Sequence, residues 1–114
     1  VARLGDTPAP RDLLRTIITA VLPLDAESRD DGRVALAFLA YTAVRPEAGA
    51  LRADTAELSG FFAGLLPVRD PEAAAAGLLA LMEGLGVYLL GGQYTPERAP
   101  AALDAHLDLL FSSP

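Results

Sequence analysis

The chain has 114 residues, 52% hydrophobic and 21% charged, which suits one folded domain with a single core and excludes a disordered chain. It contains no cysteine, so disulfide frameworks, thiolate catalysis and cysteine-ligated metal are excluded. Nine arginines are scattered among fifteen acidic residues for a net charge of −6, the wrong sign for a segment that displaces counterions from nucleic-acid phosphates by itself.

Prolines and glycines punctuate runs of helical periodicity. Val1–Leu4 is short enough to be the tail of an element that begins earlier, and the start at Val1 rather than Met points to a fragment of a longer protein. The first helix is expected over Pro10–Leu22, with Leu13, Leu14, Ile17, Ile18, Val21 and Leu22 on one apolar face and Pro23 as the stop. The second runs from Asp25, an N-cap, to Arg45; Val34, Phe38 and Tyr41 form its apolar stripe, and Pro46 ends it. The third spans Glu47–Leu66 with Leu51, Leu58, Phe61, Phe62, Leu65 and Leu66 on its apolar side, weakened by Gly49, Gly60 and Gly64. Asp70-Pro71-Glu72 opens the fourth, Pro71–Leu90, which Gly91-Gly92 closes. Thr95-Pro96-Glu97 opens the fifth, Pro96–Phe111, where Pro100 falls deep enough to predict a kink. No stretch alternates as a strand does. The expected fold is all-α, a five-helix bundle.

The fourth helix is apolar nearly all round. Ala73, Gly77, Ala80, Gly84, Val87 and Gly91 make a small-residue stripe, and Leu78, Leu81, Met82, Leu85, Tyr88 and Leu89 fill the other side. Such a helix is buried on both sides, either inside one subunit or between its own core and a second subunit. The fifth helix also has more apolar surface than docking requires: Leu103, Leu107, Leu110 and Phe111 on one face, Ala102, His106 and Leu109 beside it. Ala73, Gly77, Ala80, Gly84, Leu103, His106, Leu107 and Leu110 are therefore the candidate contacts of a two-fold homodimer. Glu83 and three glycines make Ala73–Leu90 a poor membrane span.

Large, adaptable side chains on facing helices either fill a core or line a pocket for an apolar ligand. Phe38, Tyr41, Phe62, Met82 and Tyr88 are the pocket candidates, with Thr42 and Arg45 adding polar contacts. Catalysis has no support. His106 is the sole histidine, and Asp104 and Asp108 flank it at the wrong spacing for a metal site on one helical face. Ser28, Ser59, Ser112 and Ser113 lie in no nucleophile context, and the glycines match no phosphate loop. No cofactor is expected. The lack of a signal peptide suggests the cytoplasm, and the arginine-only, alanine-rich composition suggests a GC-rich bacterial genome.

The stretches "LPLDAESRDDGRVALAFLAYTA", "DPEAAAAGLLALMEGLGVYLL" and "TPERAPAALDAHLDLLF" resemble the effector domain of TetR-type regulators of the BetI-like branch. The resemblance covers nearly the whole chain and follows the order of the helices. It implies a ligand-responsive repressor in which the last two helices form a dimeric four-helix interface and the first four enclose a pocket for a small hydrophobic or amphipathic effector. Operator DNA would be read by an N-terminal helix-turn-helix domain, which nothing in Val1–Pro114 matches. In that family the third helix and the loop after it are usually longer than the join at Leu66–Asp70. A stand-alone helical interaction or assembly module is the alternative reading; an enzyme with a pocket in the bundle is a third, without a base–nucleophile pair to support it.

Overall fold

The computed structural model describes residues 8–45 and 50–112, except for the side chains of Thr42 and residues 50–53. Val1–Leu4 and the start of the third helix at Glu47 thus lie outside the described residues. Five helices follow in chain order: α1 (Pro10–Val21), α2 (Ala26–Ala43), α3 (Ala50–Ala63), α4 (Pro71–Gly91) and α5 (Arg98–Leu110). The described residues contain no strand.

Local chemistry sets the helix ends. Asp25 caps α2 as expected: its Oδ1 accepts from the Ser28 backbone N–H at 2.8 Å, while Ser28 Oγ accepts from the Asp25 N–H at 3.1 Å. The Ser28 backbone N–H and the Ser28 hydroxyl, which also donates to Oδ1 at 2.8 Å, hold the Asp25 carboxyl below the usual carboxylate range. Asp70 caps α4 through Oδ1 and the Ala73 N–H at 3.1 Å. Gly92 closes α4 in the left-handed region at φ 81°, where a side chain would be strained.

α3 ends at Ala63, short of the expected Leu66. The Leu65 and Leu66 N–H groups reach back only three residues, to Phe62 and Ala63, so the chain tightens into a turn before Pro67. α5 starts two residues later than expected. Thr95 Oγ1 accepts from the Arg98 N–H, so Pro96 and Glu97 belong to the entry turn. Pro100 then falls in the first turn of α5, among the N–H positions that lack an intrahelical partner. Its missing donor costs little there, and α5 continues to Leu110.

The core is built by four of the helices. Leu14, Ile18 and Leu22 come from α1 and its end, Phe62 and Leu66 from α3 and the turn after it, Ala75, Leu78, Leu79, Leu85 and Leu89 from α4, and Ala99, Leu103 and Leu107 from α5. α4 is the hub, packed against α3, α2 and α5, while α1 packs on α5. By length and composition α4 would pass for a membrane span, but its inner side is the centre of this core.

Charge pins α1 to α5. Arg15 grips Asp104 with both ends of its fork, Nε to Oδ1 at 2.6 Å and Nη2 to Oδ2 at 3.2 Å. Arg11 reaches Asp108 Oδ1 at 2.7 Å and the Asp104 carbonyl at 3.3 Å. The Arg15 hydrogen bond lowers the Asp104 pKa, and Asp104 in turn raises that of Arg15.

Among the described residues, α2 contributes no side chain to the buried core. Gly32, Leu36 and Leu39 face the hub, and the Val34–Phe38–Tyr41 stripe faces outward, with Val34 72% exposed. This reverses the face expected from the sequence. The Cα radius of gyration is 15.0 Å, against about 13 Å for a tightly packed domain of this length.

Candidate effector cavity and outer helix face

A cavity of about 220 Å³ opens where α2 leans on α4. Val21, Leu22 and Pro23 at the end of α1 form its base. Gly32, Ala35, Leu36 and Leu39 form the α2 wall, and Met82, Glu83, Gly86, Val87 and Leu90 the α4 wall. Gly32 lets the α2 wall approach closely, while Gly86 leaves ordinary contact room. A Cβ on Gly32 would meet Leu90 Cδ2 and Pro23 Cβ, each at 3.3 Å, and one on Gly86 would meet Pro23 Cδ at 3.8 Å. The lining is aliphatic apart from Glu83, which suits a small ligand held by dispersion and desolvation.

The structure scatters the pocket residues expected from the sequence. Met82 lines the cavity. Phe62 is fully buried in the core between α3 and α4. Phe38 and Tyr41 stand half exposed on the outward face of α2, where the Arg45 guanidinium lies 4.7 Å from the centre of the Tyr41 ring. Tyr88 packs edge-on against Tyr94 at 5.0 Å, across the turn that joins α4 to α5. The side chain of Thr42 lies outside the described residues. Sequence reasoning missed Leu22, Pro23, Leu36, Leu39 and Leu90. Their signal was the row Gly32–Leu36–Leu39, which marks an inward α2 face with a close approach.

The side of α4 turned away from the core carries the small-residue stripe. Ala73, Gly77 and Ala80 are exposed and Gly84 is half-buried. A Cβ on Gly77 or Gly84 would meet nothing within 4 Å, so neither glycine is required by packing inside the subunit. On α5 the interface candidates divide. Leu103 and Leu107 are fully buried inside the subunit, where they meet the core and offer no outer surface. His106 and Leu110 are half-buried. The outer apolar residue is instead Leu109, 75% exposed, one turn beyond Ala105 and His106. The inward row of α5 is Ala99–Leu103–Leu107, and the outer row Ala102–His106–Leu109 lies beside it.

Among the described residues no group of three or more metal-ligating side chains comes together.

Comparison with known proteins adds the family context. The family of C-terminal domains of BetI-type transcriptional repressors matches residues 10–112. The crystal structure of a transcriptional regulator from Rhodococcus sp. Rha1 has the same fold, with a TM-score of 0.81 at 25% sequence identity. That match covers 98% of this chain and 64% of the regulator, so the chain spans less than two thirds of the regulator's length. No curated protein matches the sequence.

Proposed function

The chain belongs to the family of BetI-type transcriptional repressor C-terminal domains, and from that premise we propose that it is the effector-binding and dimer-forming part of a cytoplasmic transcriptional repressor. The observation that carries this reading is the aliphatic cavity between α2 and α4. It is bounded by the same helix whose far side bears the small-residue stripe.

Two copies would associate through the outer sides of α4 and α5, with Ala73, Gly77, Ala80, Gly84, His106, Leu109 and Leu110 at the contact. Glycine and alanine admit a partner helix closely, and a two-fold axis pairs the stripe with itself. A small hydrophobic or amphipathic effector would enter the cavity. The wall it displaces, α2, has the fewest buried side chains and is the least costly element to move. DNA recognition is assigned to a helix-turn-helix domain outside Val1–Pro114. The net charge of −6 supports that division of labour. The role is regulatory, without catalysis.

The test combines sedimentation equilibrium with thermal melting against a panel of small apolar compounds. The reading predicts a dimer at micromolar concentration and a stabilising ligand. A ligand present at a hundred times its Kd adds about 2.7 kcal/mol. A monomer that no compound stabilises overturns it. The second reading, a stand-alone interaction module, is favoured by the exposed Val34, Phe38 and Tyr41 on α2 and Val44 in the turn after it. An upstream helix-turn-helix in the same reading frame decides against it.

A further inference from the structure

We propose that Met82 is an oxidative modification site: a peroxide converts its thioether to the sulfoxide, and the new oxygen loosens α2 from α4. The chain has no cysteine and one methionine, so Met82 carries its one readily oxidised sulfur. The other large aliphatic side chains of α4 are leucine or valine, which peroxides leave intact. The one exception stands where α4 meets α2. Met82 packs against the core, is only half-buried, and lines the cavity. The inference holds whatever the cavity binds.

Access and consequence both follow from the cavity. One water needs about 15 Å³ of such space, so the 220 Å³ here admits a small peroxide to the sulfur. A sulfur lone pair attacks one peroxide oxygen, and the S–O bond forms as the O–O bond breaks. The second oxygen leaves with the protons as water. Sulfur loses two electrons and the peroxide gains them, so hydrogen peroxide and the thioether give the sulfoxide and one water. The thioether is a weak hydrogen-bond acceptor, whereas the sulfoxide is polar and demands a donor. The lining has no side-chain donor to offer. It is aliphatic apart from Glu83, whose carboxylate is itself an acceptor, and the N–H groups of its α2 and α4 walls lie inside those helices. The oxygen must therefore draw water into the hollow. α2 is the wall that yields, because none of its described side chains belongs to the buried core.

The experiment treats the intact protein with hydrogen peroxide, follows Met82 by peptide mass and follows each helix by amide hydrogen exchange. Met82 should gain the mass of one oxygen. Exchange in α2 should then speed up about tenfold, the scale of one polar group left without a partner, while α5 keeps its protection. Met82→Leu conserves the volume and has no sulfur, so peroxide should leave its α2 exchange unchanged. Met82→Gln places a polar group at the same wall without any oxidant and should speed α2 exchange by itself. An oxidised Met82 with unchanged α2 exchange overturns the proposal. So does a Met82 that stays unoxidised while free methionine in the same solution is consumed. Equal loosening in peroxide-treated Met82→Leu also overturns it, since the oxidant would then act elsewhere. None of these readouts needs an effector or a dimer, so a failure here leaves the proposed function standing.

Discussion

The double substitution Gly77→Ala/Gly84→Ala separates a free outer face of α4 from a dimer interface, because the two cases demand opposite signs. Within one subunit an added Cβ at either position meets nothing within 4 Å. Alanine is also better than glycine in a helix interior by about 1 kcal/mol at each site. An isolated subunit should therefore gain about 2 kcal/mol, a rise in Tm of about 8 °C for a domain of this size. In a two-fold dimer both methyls of both subunits enter the contact. Overpacking a close contact costs about 1–3 kcal/mol, so the dimer dissociation constant should rise by about 5-fold to 150-fold. Sedimentation equilibrium reads the second effect. Melting at a concentration where both proteins are monomeric reads the first. Gly60→Ala is the control: it too meets nothing within 4 Å, but it lies on α3, and it should raise stability without moving the dimer equilibrium. If the double variant gains its 8 °C and sediments like the parent, the stripe is not the interface.

Asp104→Asn should cost no more than about 1 kcal/mol, since both partners of the Arg15 pair are more than a third exposed. The Asp104 pKa is lowered by folding, so its contribution is present above the ordinary carboxylate range and is lost as pH falls through the lowered value. The variant should accordingly flatten the fall in Tm below about pH 4, and an unchanged acid limb refutes the role given to the pair. Asp70→Ala removes the acceptor of the Ala73 N–H and should cost about 1 kcal/mol in urea unfolding, whereas Asp70→Ser should recover most of it. Leu103→Ala empties a fully buried position where α5 meets the core and should cost about 2–5 kcal/mol. Leu109→Ala, by contrast, should leave the melting of the monomer within about 0.5 kcal/mol and weaken association.

The helices were legible because their punctuation is chemical. Asp25 and Asp70 each cap a helix through a side-chain oxygen, Thr95 Oγ1 closes the entry turn before α5, and Gly92 takes the one positive φ among the described residues. What the sequence did not reveal is which way α2 faces. Its apolar residues occur nearly all round, and a large side chain such as Phe38 draws attention to the wrong side. The close approach to α4 is made instead by Gly32, the residue with least to show. The same bias hid the cavity wall, since Leu36 and Leu39 lack the size and polar handles that make Tyr41 conspicuous. On α5, Leu103 and Leu107 alternate with His106 and Leu109 at intervals that fit either of two adjacent rows. The packing of α5 against both α4 and α1, with Arg15 tied to Asp104, decides which row is inside.

α4 explains why the cavity and the outer face belong together. At about 3.6 residues per turn its 21 residues divide into sectors. Ala75, Leu78, Leu85 and Leu89 point at the core, Ala73, Gly77, Ala80 and Gly84 point away from it, and Glu83, Gly86, Val87 and Leu90 occupy the flank between. Each sector has the chemistry of its neighbour: large aliphatics where the subunit closes on itself, glycine and alanine on the outer side, and a lone carboxylate beside an aliphatic hollow. A helix divided in this way cannot shift at the cavity without moving its outer side, because the sectors share one backbone. On the proposed function, an effector that displaced α2 and thereby tilted α4 would act on subunit geometry directly. Its binding and the association of two copies would then be linked to the same degree in both directions.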